Sequence, residues 1–157
     1  MDLINRSLPN WAEALTAVVS AAALVAIILG AVQIRHVNRQ MHRELEALYL
    51  VRYWELMDRR SRSFALRNRA TRSDRPLIRD YLALSEDQLG LRALGRVTDH
   101  TWTFWSRDIR RQNELNAYQA ELKSTPDGAY PHLRKLLADP GYDPLDRGPL
   151  WRLTQGL

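Results

Sequence analysis

From residue 14 to residue 34 the chain reads ALTAVVSAAALVAIILGAVQI, twenty-one positions with no charge and a single amide, Gln33. At about 1.5 Å of rise per residue such a helix is about 31 Å long, the thickness of a bilayer's hydrocarbon core. A helix that is apolar all round has no polar side to give to water, so this pattern predicts a transmembrane helix. The start of the helix is also written in the sequence. Asn10 is placed to cap it and Glu13, three residues on, to complete a capping box, with Pro9 just before. Trp11 falls where an interfacial aromatic anchor belongs. A cleaved signal peptide is the rival reading. It fits poorly, because Arg6 is offset by Asp2, the apolar run is long and charges follow it directly.

Nothing in the pattern stops this helix at Ile34. No Gly or Pro occurs between Ala31 and Pro76, and one face recurs at Val37, Met41, Leu45, Leu48 and Val51 or Arg52, then at Leu56. Steps of three and four are helical. One long helix is therefore expected from about Asn10 to about Arg60. Ser73, Asp74, Arg75 and Pro76 then break the chain, and Pro76 suits the first position of a helix capped by Asp74 or Ser73. Ser85 with Gln88 reads as a second capping box that would open a new helix, ended by Gly95 as its left-handed C′ residue. Thr98 or Asp99 would cap a longer helix running to about Lys123. Pro126, Asp127 and Gly128 form a turn, PHLRKLLA a short helix from Pro131, and the Pro- and Gly-rich tail an irregular end packed through Trp151 and Leu153. No stretch alternates as a strand does. The expected fold is all-α: a short extracytoplasmic tail over 1–10, a transmembrane helix over 11–34, a juxtamembrane helix with an Arg-rich end over 35–75, and a helical cytoplasmic domain over 76–157. Tyr49, Tyr53 and Trp54 on the long helix and Trp102, Trp105 and Ile109 on a later one supply the bulk a small helical core needs.

Charge adds a direction to this picture. Arg35, Arg39 and Arg43 follow the apolar run, whereas Arg6 precedes it beside Asp2 and Glu13. Positive residues remain in the cytoplasm, which puts the N-terminus outside and the domain inside, at the inner or plasma membrane. The three Arg form a stripe at headgroup height. Topology marking accounts for it without lipid specificity, although an anionic leaflet would add attraction. Ala22, Ala26 and Gly30, spaced by four, allow close approach of a second helix, and so self-association in the bilayer.

The net charge is +5, with twenty-one Arg against two Lys. The Arg bias itself reads as codon usage. Seven Arg, among them Arg59, Arg60, Arg62, Arg67 and Arg69, crowd residues 58–75 and offer an anion or partner surface. A straight helix carries Arg59 about 37 Å beyond Ile34, while the membrane's field fades over about 8 Å. Direct attraction to the same membrane therefore fails. Only Phe64 interleaves the run, so it lacks the stacking platform of single-strand binders, and nucleic acid is the less favoured partner. A solvated helix end or loop is the simpler reading.

No reaction is specified. The chain has no Cys, which excludes disulfides, thiolate metal sites and Cys nucleophiles. His36, His42, His100 and His132 show no metal spacing. No phosphate-cradling Gly loop, GxSxG or HExxH occurs. Asp99 reads as a helix-start acid, and the pairs Glu86–Asp87 and Asp143–Asp146 as capping and solubilising groups. Catalytic, cofactor and metal residues are thus none.

The stretch over 81–109, with Gly95, Arg96, Val97, Asp99, Trp102 and Trp105, resembles a pattern in an uncharacterised family of small bacterial single-pass membrane proteins with a helical cytoplasmic domain. The likeness covers under a quarter of the chain. It implies a membrane-tethered helical domain and lends no catalytic or binding residue. The expected function is a membrane-anchored, non-enzymatic interaction or scaffold protein, whose partners are the bilayer, a second copy and a protein yet to be named. The alternatives are an oligomerising, membrane-perturbing effector and a membrane-tethered nucleic-acid binder using residues 59–75.

Overall fold

The computed structural model describes residues 10–148, 150 and 152. Asp2, Arg6, Pro9, the side chain of Asn10 and the proposed packing of Trp151 and Leu153 lie outside the described residues. The described chain is all-α, with no strand. Its helices are α1 (Asn10–Asp58), α2 (Arg62–Arg67), α3 (Arg75–Ala93), α4 (Asp99–Asn113), α5 (Asn116–Lys123) and α6 (Pro131–Ala138), with a 3-10 turn over Arg72–Asp74. Two units are distinguished, Met1–Arg39 and Gln40–Leu157.

In the first unit, α1 holds its apolar side chains bare. Every residue from 11 to 29 is exposed, and Gly30 is half-buried. This is the one helix among the described residues that is long and apolar enough to cross a membrane.

In the second unit, the remainder of α1 contributes Tyr49, Leu56 and Met57 to the core, and α3 is the central helix, packed against α5 and α6. Tyr81, Tyr118 and Phe64 pack successively at the centre: ring centroids lie 5.1 Å apart and edge-on for the first pair, and 5.7 Å apart and tilted for the second. Phe64 is completely buried. The basic run is therefore not a solvated loop throughout. Its middle folds as α2, capped by Ser61 at one end and closed by left-handed Asn68 at the other, and plugs the core with one ring.

One expected break is absent and one unexpected break is present. Ser85 does not open a helix: α3 continues through it, and its hydroxyl donates to the Tyr81 carbonyl at 2.9 Å. Ile78, Tyr81, Ser85, Leu89 and Arg92 are all buried and follow one another at steps of three and four. That stripe could have been read from the sequence as one helix. Conversely, no single helix runs from Asp99 to Lys123. Ile109 and Tyr118 lie nine residues apart, two and a half turns, so a continuous helix would aim them to opposite sides. Both are buried, with Tyr118 fully so. The chain satisfies this by breaking at Leu115, whose backbone is extended, while the Asn113 amide donates to the Ile109 carbonyl at 2.8 Å.

The end of α3 follows the expectation. Gly95 takes φ 68, its N–H donates to Arg92 O at 2.9 Å, and the Arg96 N–H donates to Leu91 O at 2.9 Å. These paired bonds are a Schellman closure. Thr98 caps α4 by accepting the Thr101 N–H, and Ala129 N–H to Pro126 O closes the turn before α6.

Candidate functional site

Catalytic or binding groups in a small basic domain must be sought among its charged and polar side chains, and here the buried ones are largely committed to the fold. Arg92 is 1% exposed at the inner end of α3. Its Nε donates to Asp143 Oδ1 at 2.9 Å and its Nη2 to Asp143 Oδ2 at 2.6 Å. Nη1 donates to the Val97 carbonyl at 2.9 Å and Nη2 also to Asp99 Oδ1 at 2.6 Å. Arg152 closes the cluster from outside, at 3.1 Å from Asp99 and 3.3 Å from Asp143. The guanidinium lies 5.6 Å from the Trp102 ring. Burial alone would favour the neutral guanidine, but the bonds to Asp143 and Asp99 outweigh it and push the Arg92 pKa up. On Asp143, burial pulls the same way against ionisation, and the Arg92 bonds hold its pKa down. Asp99 and Asp143 are thus not merely helix-start and solubilising acids. They form an ion cluster tying α3, α4 and the C-terminal segment together. The spacing of Arg92 from Asp143 in sequence gave no local signal for it.

Other acids act in the same way. Glu86 caps a helix, though not its own: its carboxylate accepts the N–H groups of His132 at 3.0 Å and Leu133 at 2.8 Å, at the start of α6. Glu121 is buried and accepts from Arg75 Nε at 2.9 Å and Arg79 Nε at 2.5 Å. Asp74 faces back toward α2 and accepts four bonds from Ser61 and Thr71 at 2.7–2.8 Å. Burial pushes the Asp74 carboxyl up, but these bonds prevail and hold it at about 2. The buried His42 places Nδ1 2.8 Å from the Arg96 carbonyl. A carbonyl only accepts, so Nδ1 carries the proton. His132 pairs with the Tyr142 hydroxyl at 2.8 Å. Among the described residues, no group of three His, Cys, Asp or Glu is placed to hold a metal.

The remaining sequence candidates are surface groups. Trp11, Ala22, Ala26, Arg35 and Arg39 are exposed in the first unit. A Cβ at Gly30 would meet nothing within 4 Å. Arg43 is exposed in the second unit. Of the basic run, Arg59, Arg62, Arg67 and Arg69 are exposed, with Arg59 3.8 Å from Asp80. Arg60 is half-buried and donates to the Met57 carbonyl at 3.0 Å. The structure thus brings the run's backbone together around Asp74 and leaves six of its seven Arg exposed, Arg72 and Arg75 among them. Sequence reasoning placed Trp54 with the core aromatics; it is 56% exposed. With Leu48, Leu50 and Val51 it forms a bare apolar surface on residues 48–54 of the second unit.

No protein-family model, curated protein or solved structure matches the chain.

Proposed function

We propose that the protein is a membrane-anchored, non-enzymatic interaction module, with α1 fixing it in the inner or plasma membrane and the helical domain on the cytoplasmic side. The observation that carries this reading is the bareness of α1. Its apolar residues over 11–29 have no cover among the described residues, and Leu48, Leu50, Val51 and Trp54 in the second unit have none there either. Lipid suits the first set and a partner's apolar surface the second. The orientation rests on Arg35, Arg39 and Arg43 beyond the apolar run. A scaffold is favoured over an enzyme because Arg92, Asp99, Asp143, Glu86, Glu121 and His42 are each engaged in holding helices together. A nucleic-acid role is disfavoured, since Phe64, the one ring within the basic run, is buried and offers no base a stacking face.

The test is crosslinking in intact cells followed by capture of the full chain from its membranes. The expected result is a reproducible protein partner or second copy whose crosslinks map to residues 48–54 and are lost in Leu50→Lys/Trp54→Lys. Crosslinks confined to the 59–75 run and abolished by nuclease would overturn it. A reporter fused after Leu157 should be active only in the cytoplasm; activity only outside reverses the orientation.

A further inference from the structure

The helical domain carries a half-enclosed cleft of about 250 Å³ between α1, α3 and α4. Its walls are aromatic. Among them, Tyr49 and Trp105 have ring centroids 5.9 Å apart, and Tyr53 and Trp54 5.4 Å apart and edge-on. Tyr81 meets Tyr53 edge-on at 6.3 Å and is buried. The only charged residue lining the cleft is Asp108, in a chain with twenty-three Lys and Arg. Its carboxylate is largely in solvent. Arg107 lies 3.8 Å away with its side chain equally open to water, a contact too loose to neutralise it. Gln88 also lines the cleft. It is 7% exposed and can present its amide oxygen to whatever enters.

We propose that this cleft binds a small, freely diffusing alkylammonium cation. The negative faces of several aromatic rings attract an organic cation, and the attraction strengthens as water is excluded. A neutral apolar guest would use the rings but gain nothing from Asp108. An anion would meet the faces of the rings and a carboxylate, all of the wrong sign. The rings already draw one cation: the Arg52 guanidinium lies 5.5 Å from the Tyr49 centroid, although Arg52 does not line the cleft. The volume is ample for a choline-sized ion. Asp108 at the rim steers the charge, the rings hold the alkyl shell, and the Gln88 oxygen accepts from an N–H or polarised C–H of the guest. The proposal concerns the second unit alone and stands whether or not the membrane reading holds.

The experiment is a titration of the full chain, in a neutral maltoside detergent free of choline lipids, with choline chloride. It is followed by intrinsic tryptophan fluorescence and calorimetry against sodium chloride of equal ionic strength. Saturable binding is expected, with 3,3-dimethylbutan-1-ol, the uncharged carbon isostere, at least about tenfold weaker. Trp105→Leu should abolish the response. Asp108→Asn is outward-facing and leaves the core untouched; it should weaken choline several-fold while leaving the isostere unchanged. Equal binding of choline and the isostere, an unaltered choline affinity in Asp108→Asn, or no saturable response to choline would each overturn the proposal.

Discussion

Arg92 and Asp74 show how single residues hold this domain. A guanidinium that is 1% exposed is tolerable only with its donors met, and four bonds to Asp143, Asp99 and Val97 meet them. Arg92→Met fits the space but leaves Asp143 and Asp99 with Arg152 as their one remaining cation in the cluster, so it should cost about 3 kcal/mol. Urea denaturation of the solubilised full chain, read by tryptophan fluorescence, measures this, and a loss below about 1 kcal/mol would refute the cluster's structural role. Asp74 gives a prediction in pH. Its carboxyl falls from an ordinary 3.8 to about 2 in the folded protein. A lowered folded value means the stabilisation is complete above about pH 4 and lost as the pH drops through about 2. It is on the order of 2 kcal/mol. Asp74→Asn should lose that amount at neutral pH and show a shallower acid limb between pH 4 and 2 in denaturation midpoints. Neither residue's role was visible in sequence. Asp74 was legible as a helix-start acid, but its actual partners depend on where α2 folds.

At the scale of elements, local chemistry decided some helix ends, and tertiary packing decided the others and where a helix runs on. Gly95 sits at φ 68, where a side chain is strained. Gly95→Ala should therefore destabilise by about 1 kcal/mol, and Gly95→Asn by less. Thr98→Ala, which removes the oxygen that accepts the Thr101 N–H, should cost a similar amount. Thermal melts of the two variants and their double mutant check both, with near-additive losses expected unless the two caps are coupled through the α3–α4 corner. Ser85 shows the opposite case. Its hydroxyl could cap, yet the stripe from Ile78 to Arg92 buries continuously and the helix runs on. At Leu115 the helix breaks without Gly or Pro, because Ile109 and Tyr118 must reach the same core.

For the molecule as a whole, the bare apolar run of α1 makes the most direct prediction. Leu24→Arg with Ile28→Arg places two charges mid-span, at roughly 3 kcal/mol each against insertion. The wild-type chain should stay with membranes through a carbonate wash and the double variant should be released; equal retention would refute insertion of α1. The sequence by itself determined the all-α class, the span of α1 (Asn10–Asp58) to within two residues of its predicted end, the Gly95 closure and the α6 helix (Pro131–Ala138). All of these depend on near neighbours: hydropathy over a window, a left-handed glycine, a proline at a helix start. Only the tertiary structure decided that Phe64 leaves the basic run for the core, that Arg92 finds Asp143 fifty-one residues away, and that five rings from α1, α3 and α4 meet around one cleft. Those outcomes depend on which helix faces converge. The helical period limits the choice of face, but only mutual burial of all the helices selects it.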